Sequence, residues 1–215
     1  MGIMFLTTSC LTLNLKDLKP YPKIETLLPT LEPMIDEYSF ESAYPTGYNV
    51  GYQTIVEQVN DKEVVVNSGF KPDFSRKQDA ITLFNREVKE NITNPFGDVK
   101  GSIVCKIAGE NSESGGYGWT ALSAFTFFIP NLLGMPIGNY HTSLDLDVEI
   151  YNSSNKLIGS YNAIGNSKIW CAMYYGYSYG SVYRKSNIDA FKLAMKDIKT
   201  QIEKDADRLI MELNK

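Results

Sequence analysis

The residues that most restrict the fold lie between Ser143 and Tyr151. There Leu144, Leu146, Val148 and Ile150 alternate with Asp145, Asp147 and Glu149. Successive side chains on a strand point to opposite faces, so four aliphatics share one face and three acids the other. Such a strand needs an apolar layer on one side and water on the other. The turn-forming run Asn152-Ser153-Ser154-Asn155 comes next, and 156–164 reads as the returning strand of a hairpin. No calcium-loop pattern accompanies the acids, and regular alternation is the pattern of a solvated sheet face.

The layer that covers the aliphatic face is supplied by two helical patterns. Ile188, Phe191, Met195, Ile198, Ile202, Ala206, Leu209 and Leu213 recur every three or four residues behind a capping box at Ser186 and Asp189. An earlier pattern, Ile81, Phe84, Val88 and Ile92, comes after Ser75-x-x-Gln78 and ends at Asn94-Pro95. Ser102–Ala108 alternates with Cys105 on the apolar side. A further strand pair is expected over 52–59 and 63–66, joined at 60–62. The expected fold class is α+β, a mainly antiparallel sheet with two helices packed on one face and an extended N-terminal tether along an edge. Gly109–Gly118 (GENSESGGYG) reads as a flexible connection, because no phosphate-binding Gly-Lys-Ser/Thr ending comes after its glycines.

Two segments suggest contact surfaces. Residues 119–137 (WTALSAFTFFIPNLLGMPI) form the most apolar stretch, interrupted by Pro130, Gly134 and Pro136. Three readings compete for it: first a buried core segment, then a surface patch that enters lipid or meets a partner, and last a true membrane span. As a patch it would present Trp119, Phe125, Phe127 and Phe128. Residues 173–183 (MYYGYSYGSVY) carry Tyr174, Tyr175, Tyr177 and Tyr179. They suit an aromatic edge strand, or a surface that stacks on a glycan or on another envelope protein.

Composition narrows the chemistry. A net charge of −4, with lysines scattered among acids, offers no stripe for nucleic acid. His141 is the only histidine, and the three cysteines Cys10, Cys105 and Cys171 have no metal-ligand spacing, so no metal site is assigned. No nucleophile elbow, zinc-protease helix, Walker loop or paired-cysteine motif is present, and no cofactor is implied. No catalytic residue is therefore assigned. A Cys–His dyad at His141, a Cys105–Cys171 disulfide and hydrolysis by unassigned carboxylates remain open on spacing alone.

The first ten residues, MGIMFLTTSC, run from apolar to small and hydroxylated and then to Cys10. They resemble the end of a bacterial lipoprotein signal, with Leu6, Thr7, Thr8 and Ser9 ahead of the lipidated cysteine, and a longer leader upstream of Met1 is expected to complete it. The same residues also suit the opening of a cytosolic protein. Residues 11–45 contain Pro20, Pro22, Pro29, Pro33 and Pro45 and read as a proline-spaced tether. Leu27, Leu28, Leu31, Met34 and Ile35 would dock its second half on a single domain over 46–215. From Ser75 onward the order of helix, Trp-plus-apolar stretch, hairpin LDLDVEIYNSSNKLIGSY and closing helix resembles uncharacterised bacterial outer-membrane lipoproteins. In layout it is also similar to the auxiliary lipoproteins of envelope transport systems. The resemblance implies a non-catalytic envelope accessory or binding protein, anchored in a membrane by lipid on Cys10, with an envelope hydrolase and a cytosolic interaction domain as alternatives.

Overall fold

Leu144, Leu146, Val148 and Ile150 are fully buried, and the strand that carries them extends well beyond the alternation, from Pro136 to Asn152. The computed structural model describes residues 15–44, 50–59, 62–72, 75–172 and 179–215, with side chains placed for 17–44, 76–172 and 181–215. The elements are a 3-10 turn (Leu15–Leu18), β1 (Glu32–Ile35), α1 (Glu37–Ala43), β2 (Val50–Val59), β3 (Lys62–Pro72) and α2 (Ser75–Arg86). A π-helical turn (Glu87–Ile92) continues α2. After it come β4 (Gly101–Gly115), α3 (Tyr117–Phe125), α4 (Ile129–Leu132), β5 (Pro136–Asn152), β6 (Leu157–Ala172), α5 (Tyr179–Lys204) and α6 (Ala206–Leu213).

The fold is α+β, but its main sheet is mixed rather than mainly antiparallel. The strand order is β1-β4-β5-β6; β5 is antiparallel to both neighbours, whereas β1 runs parallel to β4 with Glu32 opposite Ser102 and Ile35 opposite Cys105. The chain leaves β1 and returns through α2, and a helical crossover of this kind brings the next strand back in the same direction. Strands β2 and β3 pair as a separate antiparallel hairpin, as the strand pattern predicts; its turn lies outside the described residues. Beyond the two expected helices, α1, α3 and α4 are present, all too short to show a sustained helical period, and the expected closing helix is divided at Asp205 into α5 and α6.

One face of the sheet carries Ile103, Cys105, Ile107, the four β5 aliphatics, Tyr161 and Ala163, and packs on Leu83, Phe84 and Val88 of α2 and its π turn and on Phe191, Met195, Ile198 and Ile202 of α5. The opposite face is open. There Asn162 Nδ2 donates to Asp145 Oδ1 (2.6 Å) and Asp147 Oδ1 (2.8 Å), and Lys106 pairs with Glu149 at 2.7 Å. The acids are thus matched by neighbours on their own face.

The segment expected as tether contributes to the core itself. Ile24, Leu28, Leu31, Phe40 and Tyr44 are buried, Leu27 and Ile35 pack partly against them, and Met34 points outward. Its path runs along α5 in the direction of the helix. Asp17 meets Lys185 at 3.1 Å, the Tyr21 ring lies 5.0 Å from the Lys192 ammonium, and the Glu25 N–H donates to Glu203 at 2.7 Å. Between these points Lys199 Nζ donates to the carbonyls of Tyr21 and Pro22, each at 3.1 Å, and to Glu87 Oε2 at 2.8 Å. Glu87 in turn accepts from Asn91 Nδ2 (2.8 Å) and from the Tyr21 N–H (3.3 Å).

α5 sits close to β6 because Gly165 has no side chain. A Cβ there would lie 1.9 Å from the Ala190 carbonyl oxygen and 2.7 Å from the Ala194 nitrogen. α5 begins at Tyr179, not at the Ser186 capping box; Ser186 is buried, and its carbonyl accepts from Ser167 Oγ at 2.6 Å. A local capping pattern is here overruled by a helix that continues across it.

Two substitutions test this packing. Lys199→Met leaves Glu87 buried without its cation and is expected to cost about 3–5 kcal/mol in urea unfolding, with Glu87→Gln/Lys199→Met costing less than Lys199→Met alone. Gly165→Ala drives a methyl into backbone and is expected to lower stability by about 3 kcal/mol or more in the same measurement.

Candidate functional site

β4 and β5 run together to Gly115 opposite Asn139, so the segment expected as a flexible connection is strand up to that point. Pairing with β5 decides this despite the Gly- and Ser-rich composition. The chain then turns at Gly116 (φ 83°), where a Cβ would lie 3.1 Å from Gly138 Cα. From that turn it makes a helical excursion, α3 and α4, and returns at Gly134 (φ 96°) to enter β5. Phe127 (φ 52°) and Phe128 (φ 61°) reverse the chain between the two helices in consecutive left-handed conformations. Such conformations cost a non-glycine residue on the order of 1 kcal/mol each.

This excursion is a tip at one end of the sheet, not core. Trp119, Leu122, Phe125, Phe127, Phe128, Ile129, Leu132 and Leu133 are all exposed, with Phe125, Phe127 and Leu133 at 86%, 85% and 86%. The first reading of 119–137, a buried segment, is therefore overturned. The tip stands at the ends of β4 and β5, and among the described residues its large apolar side chains are left exposed. Among the described residues no helix is long and apolar enough to cross a membrane.

The packing of the tip is inverted. The buried residue of α3 is Ser123 and that of α4 is Asn131, both at 0% exposure. Asn131 Nδ2 donates to the Met135 carbonyl at 3.0 Å, Thr126 Oγ1 to Leu122 at 2.7 Å and Thr120 Oγ1 to Ile137 at 2.8 Å. Backbone N–H groups of Phe127, Phe128, Ile129, Leu132, Leu133, Gly134 and Met135 all find carbonyls within the tip. Polar groups turn inward and hydrocarbon faces outward.

Below the tip lies a cavity of about 190 Å³, lined chiefly by Tyr117, Thr120, Ile137, Tyr140, Val182 and Tyr183. Tyr140 and Tyr183 meet edge to face at 4.7 Å. Behind them Arg76 is buried between rings, 4.1 Å from the Tyr183 centroid and 5.2 Å from that of Tyr44. Its counter-charge is Glu110 at 3.6 Å, which also accepts from Ser112 Oγ and from Asn187 Nδ2 (3.4 Å). The Tyr44 hydroxyl donates to Asn187 Oδ1 at 2.7 Å, and burial holds both the Tyr44 and Tyr140 hydroxyls above the usual phenol range, so both are neutral near pH 7. The cluster is charge-balanced and braces the base of the tip.

Placement decides the two cysteine pairings left open by spacing. Cys105 is opposite Val148 and Cys171 opposite Gly138, roughly 33 Å apart along β5 at the strand rise. Both are thiols, and a disulfide between them is excluded by reach. Burial pushes the Cys105 thiol well above its ordinary value. His141 is exposed on the open face, beside Lys168, while both thiols are buried. No nucleophile–base pair forms from these groups.

Of the residues expected to make contacts, Trp119, Phe125, Phe127 and Phe128 come together on the tip. Tyr174, Tyr175 and Tyr177 lie outside the described residues, as does Cys10; Tyr179 opens α5. The expected aromatic edge strand is thus replaced by helix from Tyr179 onward. Tyr117 and Trp170, which flank the base of the tip, are not apparent from periodicity. The signal that marks the region is the absence of Asp, Glu, Lys and Arg between Glu113 and His141.

The left-handed phenylalanines are testable as positions not chosen for folding. Phe128→Gly relieves backbone strain at an exposed site and is expected to raise stability by about 1 kcal/mol in urea unfolding; a loss of similar size would show that the ring packs for stability. Compared with known proteins, the chain matches no protein-family model and no curated protein sequence.

Proposed function

We propose that the protein is a non-catalytic accessory or binding protein of the bacterial cell envelope, held at the outer membrane by lipid on Cys10 and assisting envelope assembly or transport. The observation that carries this reading is the path of the N-terminal segment. It joins α5 at Lys185, next to Val182 and Tyr183 beneath the tip, and runs from there toward Glu203. A chain extended from Asp17 back to Cys10 reaches at most about 25 Å. Lipid on Cys10 would therefore lie within about 25 Å of Asp17, which meets α5 at Lys185.

The non-catalytic part of the reading rests on where reactive groups sit. The acids of β5 are matched by Asn162 and Lys106, Glu110 by Arg76, and the thiols lie on the buried side of the sheet away from His141. The combined product of these pairings is a rigid scaffold with one unusual surface, which suits binding better than proton transfer.

The anchor is tested in cells that express the protein from its own gene. Radiolabelled palmitate is expected to enter the wild-type chain and not Cys10→Ala, and the substitution is expected to move the protein from the membrane to the soluble fraction. Equal absence of label from both forms, with the protein in the cytoplasmic pool, would favour the cytosolic interaction domain.

A further inference from the structure

We propose that the tip formed by α3, α4 and their connection inserts into one leaflet of a lipid bilayer, independently of any lipid on Cys10. The inference rests on the envelope reading for the membrane it meets, and its test omits the Cys10 lipid so that the two can fail separately. Several observations together single out a bilayer as the occupant.

The exposed apolar side chains come from both helices of the tip and from its apex. In each of its two helices the residue turned inward is polar, and the apolar residues point out from α3, from the apex and from α4 alike. Within α3, Trp119, Leu122 and Phe125 fall on one face, away from Thr120, which bonds to the Ile137 carbonyl, and the buried Ser123, the pattern of a helix that lays an apolar face into a membrane interface.

Hydrocarbon tolerates only backbone whose polar groups are met internally. At the apex the Phe127, Phe128 and Ile129 N–H groups are met by the Ala124, Ser123 and Thr126 carbonyls at 3.2, 2.7 and 3.1 Å, whereas Ser123 Oγ and Asn131 Oδ1 inside the tip have no hydrogen-bond partner. Pro130 in the first turn of α4 has no N–H to satisfy. The absence of formal charge from Ser114 through Tyr140 removes the other large cost of entry.

Aromatic type is graded with height. Phenylalanine, leucine and isoleucine occupy the apex, while the two tryptophans of the chain, Trp119 and Trp170, and Tyr117 lie toward the base. Trp170 pairs with Asn139 of β5, level with Gly115 on the other side of that strand, and the Lys168 ammonium is 5.0 Å from its ring. Tryptophan, tyrosine and lysine at headgroup level with phenylalanine and leucine beyond them is the arrangement of an interfacial anchor. α3 is nine residues long, about 13 Å at the helical rise, which matches a single leaflet of a hydrocarbon core about 30 Å thick. The N-terminal segment joins the fold at this same end.

The test uses the full chain carrying Cys10→Ala, mixed with vesicles of phosphatidylethanolamine and phosphatidylglycerol. The protein is expected to float with the vesicles at low and high salt, and its tryptophan emission to shift to the blue and be quenched by brominated acyl chains. Phe127→Ser and Leu133→Ser are each expected to weaken partitioning about tenfold, from the apolar area they remove, with circular dichroism and melting unchanged. Phe96→Ser, at an equally exposed ring (83%) near the far end of the sheet, is expected to change nothing. A folded protein that stays below the vesicles overturns the proposal, as does flotation insensitive to both tip substitutions. Self-association that the tip substitutions abolish, without vesicle binding, assigns the tip to a second copy instead. Palmitate labelling without flotation sinks the tip alone; flotation without labelling sinks the anchor alone.

Discussion

The Glu87–Lys199 pair fixes the relation among the parts of the domain. Burying a carboxylate and an ammonium carries a desolvation cost of several kcal/mol per ion, and their attraction offsets it only where the remaining hydrogen-bonding capacity is met. Here it is met by a third segment. Lys199 has three protons and uses them on Glu87, Tyr21 and Pro22, while Glu87 takes Asn91 and the Tyr21 N–H on its other positions. The extended chain around Pro20 and Pro22 makes no ladder of its own, so its carbonyls need outside donors. The ion pair supplies them, and in doing so ties the N-terminal segment to α2 and α5 together.

That tie sets direction as well as position. With Tyr21 fixed at Lys199 and Glu25 at Glu203, the preceding residues must run back along α5 to Lys185. α5 itself is held on β6 by the contact at Gly165, which sets how far its first turns reach over the sheet. The strands outlast that cover, and the cavity lies where α5 thins to Val182 and Tyr183. The tip stands on this base. Arg76 of α2 is buried beneath it between the Tyr44 and Tyr183 rings and faces Glu110 of β4 at 3.6 Å, so the base of the tip joins α2, β4 and α5.

Sequence pattern reveals those features that depend on nearest neighbours. The alternation from Leu144 to Ile150 and the stripe from Ile188 to Leu213 both end up buried, because each pattern records the face it packs on. Edge strand β1 is invisible by the same logic, being four residues long, containing Pro33 and drawing its pairing from β4. The run after Gly109 has loop composition but becomes strand through its partner β5. The Arg76–Glu110 pair joins residues remote in sequence, with no motif at either end. For 119–137 the limit is different in kind: apolar composition reports an aversion to water, not what relieves it. Chain topology decides that, by placing the segment at the ends of β4 and β5.

The tip carries two costs in water, exposed hydrocarbon on α3, on α4 and at the apex, and consecutive left-handed phenylalanines at its apex. Neither contributes to the core, whose aliphatics lie at the other side of the cavity. Glycine at 127 or 128 would relieve the second cost, and serine or lysine in place of the outward leucines the first. Residues that disfavour the free state at sites open to easy repair are accounted for by an environment in which the same residues are favourable. In a bilayer the exposed rings and aliphatic chains gain what they lose in water, at about 25 cal/mol for each Å² removed from it. The left-handed turn then has a use, since it places two phenylalanine rings at the point that would enter first.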